Sequence, residues 1–255
     1  MRILLSNDDG IQSPGIEALV KALSGEHEVV VAAPAAQQSA MSQAITVRER
    51  LYVEHYKPLE EKYGIKAFAI TGTPADTVKL YLEAIVEGPE AMPDVVISGI
   101  NDGANIGTDI IYSGTVGAAT EGFVHRIYAI AISLNYFPEL SFDFVAGELA
   151  KHLDELMALS DKPQLLNINF PQKLGEDQHW YWCTQGTRDY NNVYEPYKDE
   201  AGKLYYTVGG TPFDDGNEAF TDIAAVNGGL ITITPLKLDR TCGHFLKEHK
   251  GKILF

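Results

Sequence analysis

Over its first two-thirds the chain alternates short apolar runs with stretches whose apolar residues recur every three to four positions. That alternation restricts the fold more than any other feature, because it builds βαβ units, and βαβ units build a mainly parallel sheet with helices on its faces. Ile3 to Ser6 reads as the first strand. Pro14 suits the first turn of the helix that follows, whose Ile16, Leu19, Val20 and Leu23 fall at i, i+3, i+4 and i+7. Val29 to Ala33 reads as the second strand, stopped by Pro34 and followed by a polar loop through Gln37, Gln38 and Ser39 to Thr46. Ala67 to Thr71 is a further short strand. Thr73-Pro74-Ala75-Asp76 then has the spacing of a capping box ahead of a stripe formed by Val78, Tyr81, Leu82 and Ile85. Val95 to Ser98, Ala129 to Leu134 and Leu165 to Phe170 supply three more strands. A helix with Phe142, Val145, Leu149, Leu153 and Leu156 along one side separates the last two.

Past Pro171 the texture changes. Trp180, Tyr181, Trp182, Tyr190, Tyr194, Tyr197, Tyr205 and Tyr206 lie among turn residues and charges, which reads as strands and long loops. Packing, a subunit interface and a wall of the active site all fit that aromatic density. Thr221 to Pro235 ends in Ile231-Thr232-Ile233-Thr234, an alternation that suits a half-exposed strand. With 255 residues, one α/β domain with elaborations accounts for the length. The division expected is a core over residues 1–171 and a smaller extension over 172–255.

Composition excludes several classes. A formal net charge of -15 argues against a surface for nucleic-acid polymers, whose backbone is held by clustered Lys and Arg. No apolar run approaches the roughly 18 residues of a membrane-spanning helix, and Met1-Arg2-Ile3 opens no secretory signal, so a cytoplasmic location is expected. Cys183 and Cys242 lie far apart, with neither disulfide-framework nor zinc-site spacing.

Polar clusters fall where the strands end, the rim at which open parallel sheets bind ligands. Asp8 and Asp9 follow the first strand, Ser39 the second, and Asn101 and Asn105 follow Val95 to Ser98. Two adjacent carboxylates repel, and a cation, a raised pKa or helix-end hydrogen bonds relieve them. One of them capping the next helix is the plain structural alternative. Together with Ser39 and Asn101 they make an oxygen-donor set suited to Mg²⁺, Mn²⁺ or Ca²⁺ rather than zinc. Tyr112-Ser113-Gly114-Thr115-Val116-Gly117-Ala118 has the look of a helix N-terminus with exposed N–H groups, an anion site, though Ser113 would equally serve as a plain N-cap. Gly117 and Ala118 read as close helix-to-sheet packing. No G-x-x-x-x-G-K-[ST] sequence is present, so a P-loop NTPase is unsupported.

Asn7-Asp8-Asp9-Gly10 with Pro14-Gly15-Ile16, Gln38-Ser39-Ala40 leading to Ile45-Thr46, Thr71 to Asp76, Ser98 to Asn101 with Gly103 and Asn105, and Tyr112 to Val116 together resemble the SurE family of 5'/3'-nucleotidases. The likeness continues through Leu166-Asn167-Ile168-Asn169-Phe170-Pro171 to Thr221-Asp222 and Ile233 to Leu236. It implies a Rossmann-like three-layer core and a C-terminal arm exchanged between subunits of a homodimer or homotetramer. It also implies a metal-dependent phosphomonoesterase acting on nucleoside monophosphates and other small phosphate esters, short polyphosphate included. Carried over by position, Asp8, Asp9, Ser39 and Asn101 hold one divalent ion per subunit, while Asn105, Ser113, Gly114 and Thr115 contact phosphate. Asp8 or Asp9 would also act on the proton or the phosphorus. A nucleotide-binding protein without turnover is the rival from another class. The sequence departs from the family at Ser42, where glycine is frequent, and at Gln43, where asparagine or histidine is common. His125 reads as structural, and His244 as a group that would reach a neighbouring site if the C-terminal segment swaps.

Overall fold

The computed structural model describes residues 1–176, 179–191 and 193–250. The expected extension over 172–255 therefore includes eight residues outside the described part, 177, 178, 192 and 251–255. In chain order the strands are β1 (Arg2–Ser6), β2 (Glu28–Pro34), β3 (Val53–His55), β4 (Lys66–Ile70), β5 (Val95–Asp102), β6 (Tyr128–Leu134) and β7 (Leu165–Phe170). They continue with β8 (Trp180–Trp182), β9 (Asp189–Asn191), β10 (Tyr194–Lys198), β11 (Leu204–Val208), β12 (Thr211–Phe213) and β13 (Ile231–Leu236). The α-helices are α1 (Pro14–Leu23), α2 (Lys57–Tyr63), α3 (Pro74–Leu80), α4 (Gly114–Val124), α5 (Phe142–Ala158), α6 (Asp222–Asn227) and α7 (Gly243–His249).

Nine strands form one sheet in the order β3-β4-β2-β1-β5-β6-β7-β13-β8. From β4 to β7 all neighbours pair parallel, as the βαβ pattern requires. Only β3 and β13 pair antiparallel with the strands inside them. The chain winds outward from β1 through β2 and β4, then returns to the other side of β1 with β5, β6 and β7. The winding therefore reverses between β1 and β5, and the crevice at that switch point is where such sheets bind ligands.

Both sheet faces are covered, so the central strands read as unbroken apolar runs. Ile3 and Leu5 of β1 face a core built with Ile16, Leu19 and Leu23 of α1 and Val145, Leu149 and Leu153 of α5. Leu4 faces the opposite way, into a cluster with Ala32, Val78, Val96 and Ala118. The result is a helix layer, a sheet and a second helix layer, with α1 against α5 on one side and α3 against α4 on the other.

Three local expectations change. The stripe from Val78 to Ile85 is not one α-helix, since α3 ends at Leu80 and continues as a π-turn over Tyr81–Ile85. The stretch before β13 contains α6, capped by Thr221, whose hydroxyl oxygen accepts from the Ala224 N–H. β13 is not half-exposed: Ile231 to Thr234 are all buried, because the strand lies between β7 and β8 with α6 packed on it. Beyond residue 171, the hairpin pairings β10 with β11 and β9 with β12 stand outside the main sheet. Among the described residues no helix is long and apolar enough to cross a membrane.

Candidate active site

At the end of β1 the fully buried Asn7 organises the turn. Its Oδ1 accepts from the Gly10 N–H at 3.1 Å, and its Nδ2 donates to the Gly10 carbonyl at 2.9 Å and to Ser13 Oγ at 2.7 Å. Ser13 in turn caps α1. Gly10 has φ +94°, and the backbone of Ala36 and Gln37 lies 3.2–3.3 Å from where a Cβ would sit, so glycine is required there. Neither Asp8 nor Asp9 caps α1. Asn7 and Ser13 take the Asx-turn and cap roles, which leaves both carboxylates for other partners.

Asp8 is buried and faces the N-terminus of α4. Thr115 Oγ1 donates to Asp8 Oδ1 in a short hydrogen bond, and the backbone N–H groups of Gly114 and Thr115 also support the carboxylate. Burial outweighs these contacts and pushes the Asp8 acid above the ordinary range. A Cβ on Gly114 would lie 2.9 Å from both Asp8 Cβ and Oδ2, so the approach of helix to carboxylate depends on that glycine.

Asp9 looks the other way. Its Oδ2 accepts from the Asp102 N–H at 3.3 Å, and its acid is pushed up to about 6, by burial first and by the charge of Asp8 second. Among the described residues no Lys, Arg or His pairs with either carboxylate. An open concavity of about 280 Å³ beside Asp9 is lined by Gln12, Ser13, Gln37, Asp102 and Phe142. A larger hollow of about 590 Å³, around His27, His55 and Tyr81, lies at the amino ends of the strands and holds none of the expected residues.

The other expected residues differ in how free they are. Ser39 is exposed, on a loop tied to the rim by the Gln38 N–H, which donates to the Asp8 carbonyl at 2.7 Å. Asn101 is half-buried; its Nδ2 donates to the Gly103 carbonyl at 2.7 Å, and among the described residues its Oδ1 receives no donor. Ser113 is the N-cap of α4, accepting from the Val116 N–H at 3.1 Å. Ser113 thus caps the helix, and its oxygen already accepts one hydrogen bond. Asn105 lies deeper, with Nδ2 donating to Ser133 Oγ at 2.9 Å. Its backbone is clamped from β7, the N–H donating to Asn169 Oδ1 at 2.8 Å and the carbonyl accepting from Asn167 Nδ2 at 2.8 Å and Asn169 Nδ2 at 3.1 Å.

Asp8, Gly114 and Thr115 are thus in direct contact, and Asp9 meets the strand that carries Asn101. Asn105 and Ser113 make no hydrogen bond with that group. Gly117 also departs from expectation: a Cβ there would fall 2.0 Å from the Ser42 carbonyl, so it packs on the loop after β2 rather than on the sheet, whereas Ala118 is buried against Leu4 and Val96. Ser42 has φ +53°, the region that favours glycine. Gln43 Nε2 donates to the buried Glu121 at 2.9 Å.

The donor set fits a hard divalent cation. Asp8, Asp9, Ser39 and Asn101 can each offer oxygen, and the buried Asp8 and half-buried Asp9, both with raised acids, lack any cationic neighbour among the described residues. Sequence reasoning missed Asp102, whose N–H serves Asp9, and the contacts that fix the segment ahead of Ser113. There Arg188 grips Asp214 with two 2.8 Å bonds and Asp109 at 3.2 Å, Tyr190 donates to Asp109 at 2.6 Å, and Asp222 accepts from the Gly107 N–H at 2.9 Å. Their signal is a charge balance readable only after folding, since the partners lie far apart in sequence. His125 is structural, bonded to the Glu121 carbonyl and to Glu83. His244 is exposed on α7.

Residues 3–192 match the family model described as survival protein SurE. The chain is 44% identical over its full length, and 95% of the relative's, to a protein of Pelotomaculum thermopropionicum named 5'-nucleotidase SurE. It is 40% identical to a protein of that name from Natranaerobius thermophilus, with 94% of each chain covered. Among solved structures it resembles the SurE protein of Aquifex aeolicus, with a TM-score of 0.80, 35% identity and coverage of 97% of this chain and 98% of that one.

Proposed function

This chain belongs to the SurE family, and on that premise we propose that it is a 5'-nucleotidase, hydrolysing nucleoside 5'-monophosphates to nucleoside and phosphate. The observation that carries the reading is the pair Asp8 and Asp9 at the switch point, with the N-terminus of α4 meeting Asp8. An anionic ester would be drawn there by the dipole of a helix end, within a chain whose overall charge would otherwise repel it.

Asp8, Asp9, Ser39 and Asn101 would hold one divalent ion, Mg²⁺ or Mn²⁺. When bound, that ion supplies charge neutralisation at the transition state and acidifies water. Thr115 orients Asp8 through its hydroxyl. Asp8 or Asp9 would take the proton of the attacking water, while the first turn of α4 from Ser113 to Thr115 and Asn105 orient the phosphoryl group. Hydrolysis of 3'-monophosphates, other phosphate esters and short polyphosphate belongs to the same proposal, as does a cytoplasmic location. Residues 172–255 supply an arm for a homodimer or homotetramer, a reading supported by the exposed hairpin β10–β11 with Tyr194, Tyr197, Tyr205 and Tyr206. Release of free phosphate with Mg²⁺ or Mn²⁺ from AMP, GMP, 3'-AMP and tripolyphosphate tests the reading: AMP and GMP should rank first, and turnover of polyphosphate alone would contradict it.

A further inference from the structure

Beside the rim lies a pair of aromatic rings that the hydrolytic chemistry does not use. The loop after β6 follows a strand two places from β1, and two inter-strand spacings place it roughly 10 Å from Asp8 and Asp9. The loop is held at three points: the Asn135 N–H donates to the Phe170 carbonyl at 3.0 Å, the Glu139 N–H to the Gln172 carbonyl at 2.8 Å, and Gln172 Nε2 to the Phe137 carbonyl at 2.9 Å. Within this fixed frame Tyr136 is 58% exposed and Phe137 87% exposed. Their ring centroids are 6.5 Å apart. Phe137 has φ +52°, a costly conformation for a residue with a side chain, adopted here to present an apolar ring to solvent.

The Tyr136 ring is seated against Gly103. A Cβ at that position would lie 2.4 Å from Tyr136 Cζ and 2.7 Å from its hydroxyl, so glycine lets the ring lie in this position. Gly103 is itself fixed, its carbonyl accepting from Asn101 and its N–H donating to the Leu134 carbonyl at 2.8 Å. The ring therefore packs on the loop that carries Asn101, with one part covered and the rest open. Burial raises the acid of its hydroxyl, and so do the charges of Asp109, Asp102 and Asp9, with Arg188 acting the other way.

We propose that Tyr136, flanked by Phe137, is a specificity-determining residue on which the purine or pyrimidine base of the substrate stacks while its phosphate occupies the rim at Asp8 and Asp9. The inference rests on the nucleotidase reading and adds how the nucleoside is recognised. Stacking on an aromatic face tolerates every base, so the platform favours nucleotides over baseless phosphate esters without selecting strongly among bases.

Steady-state kinetics on AMP and on ribose 5-phosphate, for wild type, Tyr136→Ala and Tyr136→Phe, test the proposal. Tyr136→Ala should raise KM for AMP about tenfold with little change in kcat, and the loss should be confined to the substrate that carries a base. Tyr136→Phe should keep the wild-type preference. Equal losses on both substrates, or no change on AMP, would overturn the assignment. Saturation-transfer NMR of adenosine with wild type and Tyr136→Ala reads the platform without hydrolysis. If wild type released no phosphate from AMP, the nucleotidase reading would fall. Adenosine transfer lost in Tyr136→Ala would still support the platform, and transfer retained there would overturn it.

Discussion

Asp8 and Asp9 are neighbours in sequence and end in different surroundings, because successive residues leaving a strand point opposite ways. Asp8 meets Thr115 and the first turn of α4, whereas Asp9 meets the Asp102 N–H. Gly114→Ala tests how closely that contact is set. Its Cβ would fall 2.9 Å from Asp8, so phosphate release should drop at least about tenfold, equivalent to roughly 1.4 kcal/mol of barrier, with the circular-dichroism spectrum unchanged. Wild-type turnover in that variant would detach α4 from the site. The carboxylate pair was legible from sequence because it is contiguous. Its division of labour was not, since Asn7, Ser13 and Asp102 decide it through contacts that residue type alone does not specify. The positions of Asn167 and Asn169 under Asn105 were equally hidden, as they reach it from β7 across more than 60 residues.

Among the elements, local signals were the reliable ones. The capping box at Thr73 forms in full, with Thr73 Oγ1 accepting from the Asp76 N–H at 3.1 Å and Asp76 Oδ2 accepting from the Thr73 N–H at 2.9 Å. Thr73→Ala should therefore lower stability by about 1 kcal/mol, read as a fall of a few degrees in the melting temperature. No change would mean that α3 is held by packing alone. The parallel strands were legible too, since burial on both faces leaves an apolar run. β13 misled because Thr232 and Thr234 alternate with isoleucine as exposed residues would, yet β8 and α6 cover them. β3 spans Val53–His55 and carries no apolar run at all; its residues are exposed, and only pairing with β4 makes it a strand.

For the whole molecule, β13 and β8 complete the sheet that the first 171 residues begin, with α6 packed on β13. Cys183 reports on that closure: it is buried, its N–H donates to the Ile233 carbonyl at 2.9 Å, and burial together with the Asp222 charge pushes its thiol up to about 11. At pH 8 a thiol reagent should label the exposed Cys242 quickly and Cys183 only after denaturant is added. Two fast thiols would mean that the extension does not close over the core. If Asp8 and Asp9 form the catalytic metal site of a nucleotidase, turnover must depend on both the metal and the carboxylates. The most direct measurement is phosphate release from AMP across a Mn²⁺ titration, for wild type and Asp9→Asn, alongside their melting curves. Wild type should release phosphate only with the metal and Asp9→Asn none above background, with the fold retained; equal release by both at saturating Mn²⁺ would overturn the assignment.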